Sequence, residues 1–183
     1  MPRLFPTVFL LASCLGGPDK VFTEGTLLLD IPAVRQENGR LCGLAALEML
    51  TAYHKIPSTP EETTKLRAVT APEGLSGEEM TSALSQSGYE VSVFSGSLGD
   101  GPTALSHHIS KGRPLIVMIR RGKGRHYVMV AGHDKVRHLL ALVDPALGTV
   151  SMTEEAFLRA WDGVYRFTLL ALPREGGSKP PPS

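Results

Sequence analysis

The sequence is poor in cysteine: its 183 residues hold two, Cys14 and Cys42. Two thiols cannot build a disulfide framework, and a chain of this length buries a core without one. Neither sign of charge is in excess, with 19 basic against 18 acidic residues and a formal net charge of +1. That balance argues against nucleic acid as the main partner, because phosphate binding needs a basic excess on one face. No internal apolar run reaches the ~20 residues of a membrane span, and no internal repeat is present. Hydrophobic residues make up 42% and charged residues 20%, the proportions of an ordinary globular protein rather than a disordered chain or a coiled coil.

The first 13 residues, MPRLFPTVFLLAS, place one positive charge (Arg3) before an apolar stretch from Leu4 to Ala12. That is the order of a secretory signal. Leu11-Ala12-Ser13-Cys14 resembles a bacterial lipobox, in which the cysteine is acylated and becomes the new N-terminus. An acylated Cys14 would anchor the chain to the cell envelope more firmly than one lipid alone. Leu15, in place of an aspartate, implies by the same resemblance the periplasmic face of the outer membrane. The expected organisation is a signal peptide over 1–13, a tether over 14–23, one domain over 24–172 and a Pro/Gly/Ser-rich disordered tail over 173–183. With Cys14 lipidated, Cys42 is the only free thiol in an oxidising compartment, a liability that asks for a function.

The element pattern predicts an α+β fold with helices first and a largely antiparallel sheet last. Thr26–Ile31 reads as a strand and Cys42–His54 as an Ala/Leu-rich helix. A second helix is expected over 58–68, with Ser58-Thr59-Pro60 at its start. Ser76 and Glu79 have capping-box spacing and open a helix to about Ser87. Strands are expected over 89–94, 114–119, 126–131, 138–143, 149–152 and 165–172, with helices near 103–111 and 154–161.

Four residues carry chemistry. Cys42 stands where a loop turns into a helix, with Asn38-Gly39 as a turn in that loop. The positive end of the helix dipole favours thiolate there, whereas a free thiol is only about 3% ionised at neutral pH. A buried, inert core position is the other common use of such a cysteine. Gln36 lies six residues earlier, close enough for its amide to join the Cys42 N–H in a two-donor oxyanion hole. His126 opens an apolar strand, where its ring can take the thiol proton. Asp144 ends the next strand. If the two strands pair as a hairpin, Asp144 falls beside His126 and orients its second ring nitrogen; an Asp-Pro turn is the plainer use of that dipeptide.

The order Gln, Cys, His, Asp is shared with papain-like cysteine peptidases. The segments IPAVRQENGRLCGLAALEMLTAY, HYVMVAGHD and LVDPALG resemble one branch of them, the bacteriocin-processing or double-glycine-leader peptidases (cysteine peptidase family thirty-nine), from about Leu28 to Leu172. The resemblance implies a papain-like fold, with Cys42 as nucleophile, His126 as general base, Asp144 as its orienting partner and Gln36 as oxyanion donor. An aspartate in the third place fits this branch better than papain itself. Leu41 departs from the acidic residue that many relatives carry before Cys-Gly. Transporter-fused relatives continue into membrane and nucleotide-binding domains, which are not found in this sequence. A stand-alone lipoprotein member is therefore expected, without assuming double-glycine specificity.

The function expected is a thiol endopeptidase acting on a peptide or protein. The alternatives are a peptide- or leader-binding lipoprotein without turnover, and a papain-like transpeptidase or amidase. No cofactor is expected. A metal site at His126, His133 and His138 lacks the carboxylate or second cysteine that would complete tetrahedral spacing. His107 and His108 read as a solvated helix face, and His54 as a helix C-terminal residue. The basic run Arg120–Arg125 reads as a solvated loop able to attract an acidic substrate segment.

Overall fold

The computed structural model describes residues 22, 26–56, 59, 66–67 and 74–174. The expected signal peptide, Cys14 and most of the tether and tail lie outside the described residues, as does most of the helix expected over 58–68, of which Leu66 and Arg67 are helical. Along the chain run α1 (Cys42–Tyr53), α2 (Gly77–Gln86), β1 (Tyr89–Ser95), α3 (Leu105–Ile109), β2 (Leu115–Arg121), β3 (Gly124–Asp134), β4 (Leu139–Asp144), β5 (Gly148–Thr153), α4 (Glu154–Asp162) and β6 (Phe167–Pro173). The six strands form one antiparallel sheet in the order β1-β6-β2-β3-β4-β5. The expected α+β architecture with a largely antiparallel sheet is the observed one, with α1 and α2 ahead of the sheet and α3 and α4 set between its strands.

Helix α1 is apolar on nearly every side, and nine of its residues are buried, Cys42 and Gly43 among them. A helix without a polar face belongs inside a core, and α1 packs against β3, the longest strand. Ala46, Met49 and Leu50 are fully buried there; truncating a Met or Leu so placed typically costs about 2–5 kcal/mol. Helix α2 begins with the expected capping box: the Ser76 side chain accepts from the Glu79 N–H while Glu79 accepts from the Ser76 N–H.

The segment 26–31 does not become a strand. Both edges of β3 are taken, by β2 and β4. The segment therefore reaches β3 only where its ladder breaks, at the register shift between Val130 and Gly132. There Leu28 bridges Gly132, and the Leu29 N–H donates to the Ala131 carbonyl at 2.8 Å. Only glycine allows that approach, since a Cβ at position 132 would stand 2.4 Å from Leu28 Cδ2 and 3.0 Å from the Leu27 carbonyl oxygen.

Two strands meet at the end of the sheet where the chemistry lies. β2 and β3 are joined by a two-residue turn, Gly122-Lys123, and Ile119 stands opposite His126. Because side chains alternate along a strand, Arg121, Ile119 and His126 point to one side of the sheet. β3 and β4 pair with Met129 opposite Val143. Continuing that register puts Asp144 diagonally next to His126 on the same side, within cross-strand reach.

Among the described residues, no helix is long and apolar enough to cross a membrane, and no group of three or more His, Cys, Asp or Glu could hold a metal ion.

Candidate active site

Cys42 is the first residue of α1 and is buried, at 7% exposure. The preceding residue, Leu41, offers no capping side chain, and the first turn holds no acid. Helix geometry leaves the first N–H groups without intrahelical acceptors, so this end of α1 keeps its positive pole uncompensated. The Cys42 sulfur hydrogen-bonds the His126 ring and accepts from the backbone N–H groups of Tyr127 and Gly43. Burial alone would push the thiol up. The His126 bond, the two backbone donors and the imidazolium charge outweigh it and hold the thiol below its ordinary value.

His126 and Asp144 are both 5% exposed, and the ring Nε2 lies 2.8 Å from Asp144 Oδ1. With Nε2 on the carboxylate, Nδ1 is the nitrogen left for the thiol. Burial disfavours the charged ring, but the bonds and charges of Asp144 and Cys42 win and raise His126 to about 9. Asp144 moves the other way. Burial would raise its carboxyl, yet the His126 bond, the Ala146 N–H and the charges of His126 and Arg121 hold it down. The three shifts point the same way, each favouring the charged form of its group.

Asp144 Oδ1 also accepts the Ala146 N–H at 2.7 Å and the Leu147 N–H at 3.3 Å. The Asp-Pro turn and the histidine partner are thus one device: the turn holds the carboxylate against the ring.

Gln36 is tied to the same turn, its backbone N–H donating to the Pro145 carbonyl at 2.9 Å. Its side-chain Nε2 donates to the Asn38 carbonyl at 2.9 Å rather than toward the sulfur, and its Oε1 is sealed without a partner. The structure therefore brings Cys42, His126 and Asp144 together and holds the backbone of Gln36 beside them, with its amide engaged within its own loop.

Arg121 was read from the sequence only as part of a solvated basic loop, and here the structure differs. Its Nη1 lies 3.3 Å from Asp144 Oδ2 and 3.2 Å from His126 Nε2. When Nε2 carries its proton toward Asp144 it cannot accept another, so the carboxylate is the guanidinium's partner. Arg120 is also engaged, donating to the Gly163 carbonyl at 2.8 Å. The signal for Arg121 was the tight hairpin, since residues 121 and 126 fall on one side across a two-residue turn. His108 also departs from the solvated reading. It is 6% exposed, and its Nε2 bonds the Pro102 carbonyl at 2.8 Å, because the short helix α3 turns that ring inward. His133 and His138 flank the β3–β4 turn as expected and share the carboxylate of Glu154.

None of the curated proteins matches the chain by sequence. Solved structures do. The peptidase domain of Streptococcus ComA, a bifunctional ABC transporter involved in quorum sensing, is 22% identical with a TM-score of 0.64, over 78% of this chain and 98% of that one. A double glycine motif protease from an AMS/PCAT transporter, solved in complex with its leader peptide, is 22% identical with a TM-score of 0.61, over 84% of this chain and 97% of that one. These likenesses show the papain-like peptidase fold. The model of the Peptidase C39 family matches residues 30–170, a span that includes Gln36, Cys42, Arg121, His126 and Asp144, and the chain belongs to that family.

Proposed function

We propose that the chain is a thiol endopeptidase. The observation that carries this reading is the continuous contact from Cys42 through His126 to Asp144. The Cys42 thiolate attacks the carbonyl carbon of a peptide bond. The Cys42 N–H and the Gln36 amide, swung away from the Asn38 carbonyl, hold the resulting oxyanion. His126 gives its proton to the leaving amine, the C–N bond breaks and a thioester to Cys42 remains. Neutral His126 then takes a proton from water as that water attacks the thioester, which frees the acid and restores the ion pair. Asp144 keeps the ring oriented and its charged form favoured.

The substrate in this reading is a peptide cut after a small-residue or double-glycine motif, supported by the likeness to a protease solved with its leader peptide. Cleavage of a broad peptide library that includes double-glycine leaders tests it. The wild type is expected to cut a defined subset and Cys42→Ala none; equal behaviour of the two overturns the reading. Export and acylation at Cys14 complete the proposal, supported by Arg3, the apolar stretch and Leu11-Ala12-Ser13-Cys14. The expected result is a lipid-bearing N-terminus in the membrane fraction that Cys14→Ala releases; an unmodified, soluble wild type contradicts it.

A further inference from the structure

The carboxylate of Asp144 is served unequally. Oδ1 accepts from His126, Ala146 and Leu147, whereas the donor at Oδ2 is Arg121, at 3.3 Å. The relay histidine and aspartate side chains are each 6% exposed, but the Arg121 side chain is 44% exposed. The guanidinium therefore covers the His126–Asp144 bond on its solvent side. The tight turn delivers it there, since Arg121 is the last residue of β2 and Gly122 supplies a positive φ of 59°.

We propose that Arg121 is a positioning residue of the relay, fixing the rotation of the Asp144 carboxylate while its charge limits how strongly that carboxylate holds the His126 proton. The proposal rests on the peptidase reading of the same site.

The physical argument has two parts. The three donors at Oδ1 already resist rotation of the Asp144 carboxylate about its last torsion, which is intrinsically broad. A donor at Oδ2 stiffens that hold further. The second part is charge. Among the described residues, three charged or titratable groups face the His126 ring: Cys42 from α1, Asp144 from β4 and Arg121 from β2. Cys42 and Asp144 both favour imidazolium, and they raise the ring to about 9. A general acid that must release its proton to a leaving amine works best with a pKa near the operating pH. Arg121, with Nη1 at 3.2 Å from Nε2, is the cation placed to oppose the upward push. Half-exposed, it is screened, so its effect is expected at about one pH unit or less.

The test uses Arg121→Gln, Arg121→Lys and Arg121→Ala in the full chain, with thermal melting to show that each is folded. Cys42 alkylation by iodoacetamide is followed against pH, and the His126 ring is titrated by NMR. Gln keeps a donor for Oδ2 and loses the charge. It is expected to shift the His126 titration upward by about half to one pH unit, with the alkylation plateau retained. Lys is expected to restore the wild-type midpoint. Ala is expected to shift the midpoint upward and also to lower the plateau several-fold, because the carboxylate loses its hold at Oδ2. A His126 midpoint in the Gln variant that is unchanged or lowered overturns the proposal. So does an Ala variant with the full wild-type plateau. A wild type whose thiol ionises only near the free-thiol value would instead overturn the peptidase reading itself.

Discussion

The β3–β4 hairpin carries a histidine–carboxylate pair at each end. At the open end His126 Nε2 meets Asp144 Oδ1 at 2.8 Å, and near the turn His133 Nε2 meets Glu154 Oε1 at 2.5 Å. Both rings are buried, with side-chain exposures of 6% and 1%. The pairs differ in what stands on the ring's other nitrogen. Beyond His126 is the Cys42 thiol. At His133 the other nitrogen, Nδ1, is buried with no hydrogen-bond partner among the described residues. Glu154 is divided between two rings, its Oε2 accepting from the exposed His138 at 2.8 Å, and as the first residue of α4 it ties that helix to the hairpin. A buried His–carboxylate pair is therefore a structural staple by default. A third group at an uncompensated helix N-terminus is what sets the His126 pair apart and, in the proposed reading, makes it a relay.

The sharpest way to break the contrast is to remove the third group. Cys42→Ala is expected to lower peptide cleavage by at least about 10³-fold while leaving the fold intact, measured by turnover and thermal melting. Removing the ring comes next. Without imidazolium the thiol should return toward about 8.5, so His126→Ala is expected to slow Cys42 alkylation near pH 6 by about 100-fold. The same variant tests the linkage. Because His126 is raised to about 9, its contribution to stability is fully present below the unfolded value of about 6.5 and is lost as pH rises through about 9. Urea unfolding against pH should show that loss in the wild type and not in His126→Ala.

Asp144→Asn is expected to lower turnover by about 10²–10⁴-fold, with a smaller effect on alkylation, since the thiol keeps its ring and its two backbone donors. At the other pair the expectation inverts. Glu154→Gln should leave the alkylation profile unchanged and cost about 1–2 kcal/mol in urea unfolding. The Glu154 carboxyl is pushed up by burial but held down more strongly by the two histidines. Its contribution is thus present above the ordinary carboxylate value and lost as pH falls. The smallest effect marks the other kind of helix start: Ser76→Ala, which opens the α2 capping box, should cost about 1 kcal/mol in the same assay without touching the thiol.

The helix starts were legible because their signals are local. Ser76 and Glu79 announce a closed helix end, while Cys42-Gly43 after Asn38-Gly39 announces an open one. Asp144 was legible because a hairpin and an aspartate at its end suffice to place it. The segment 26–31 was misread because TLLLDI has strand composition, but whether a strand edge is free to receive it depends on the whole sheet. His108 was misread because two adjacent histidines on a short helix look alike in sequence, and only packing decides which ring turns in. Arg121 was hidden inside a run of four basic residues in six, where composition says solvent; only the hairpin register separates it from its neighbours. The Gln36 side chain shows the same limit, for spacing brings its loop to Pro145 but does not say where the amide points.

The most direct test needs no substrate: the rate of Cys42 alkylation by iodoacetamide from about pH 4 to about pH 10, in wild type and in His126→Ala. A fast plateau already present near pH 5–6 in the wild type and absent from His126→Ala is the result predicted for a thiolate–imidazolium pair. A single rise centred near pH 8.5, the same in both proteins, would contradict it.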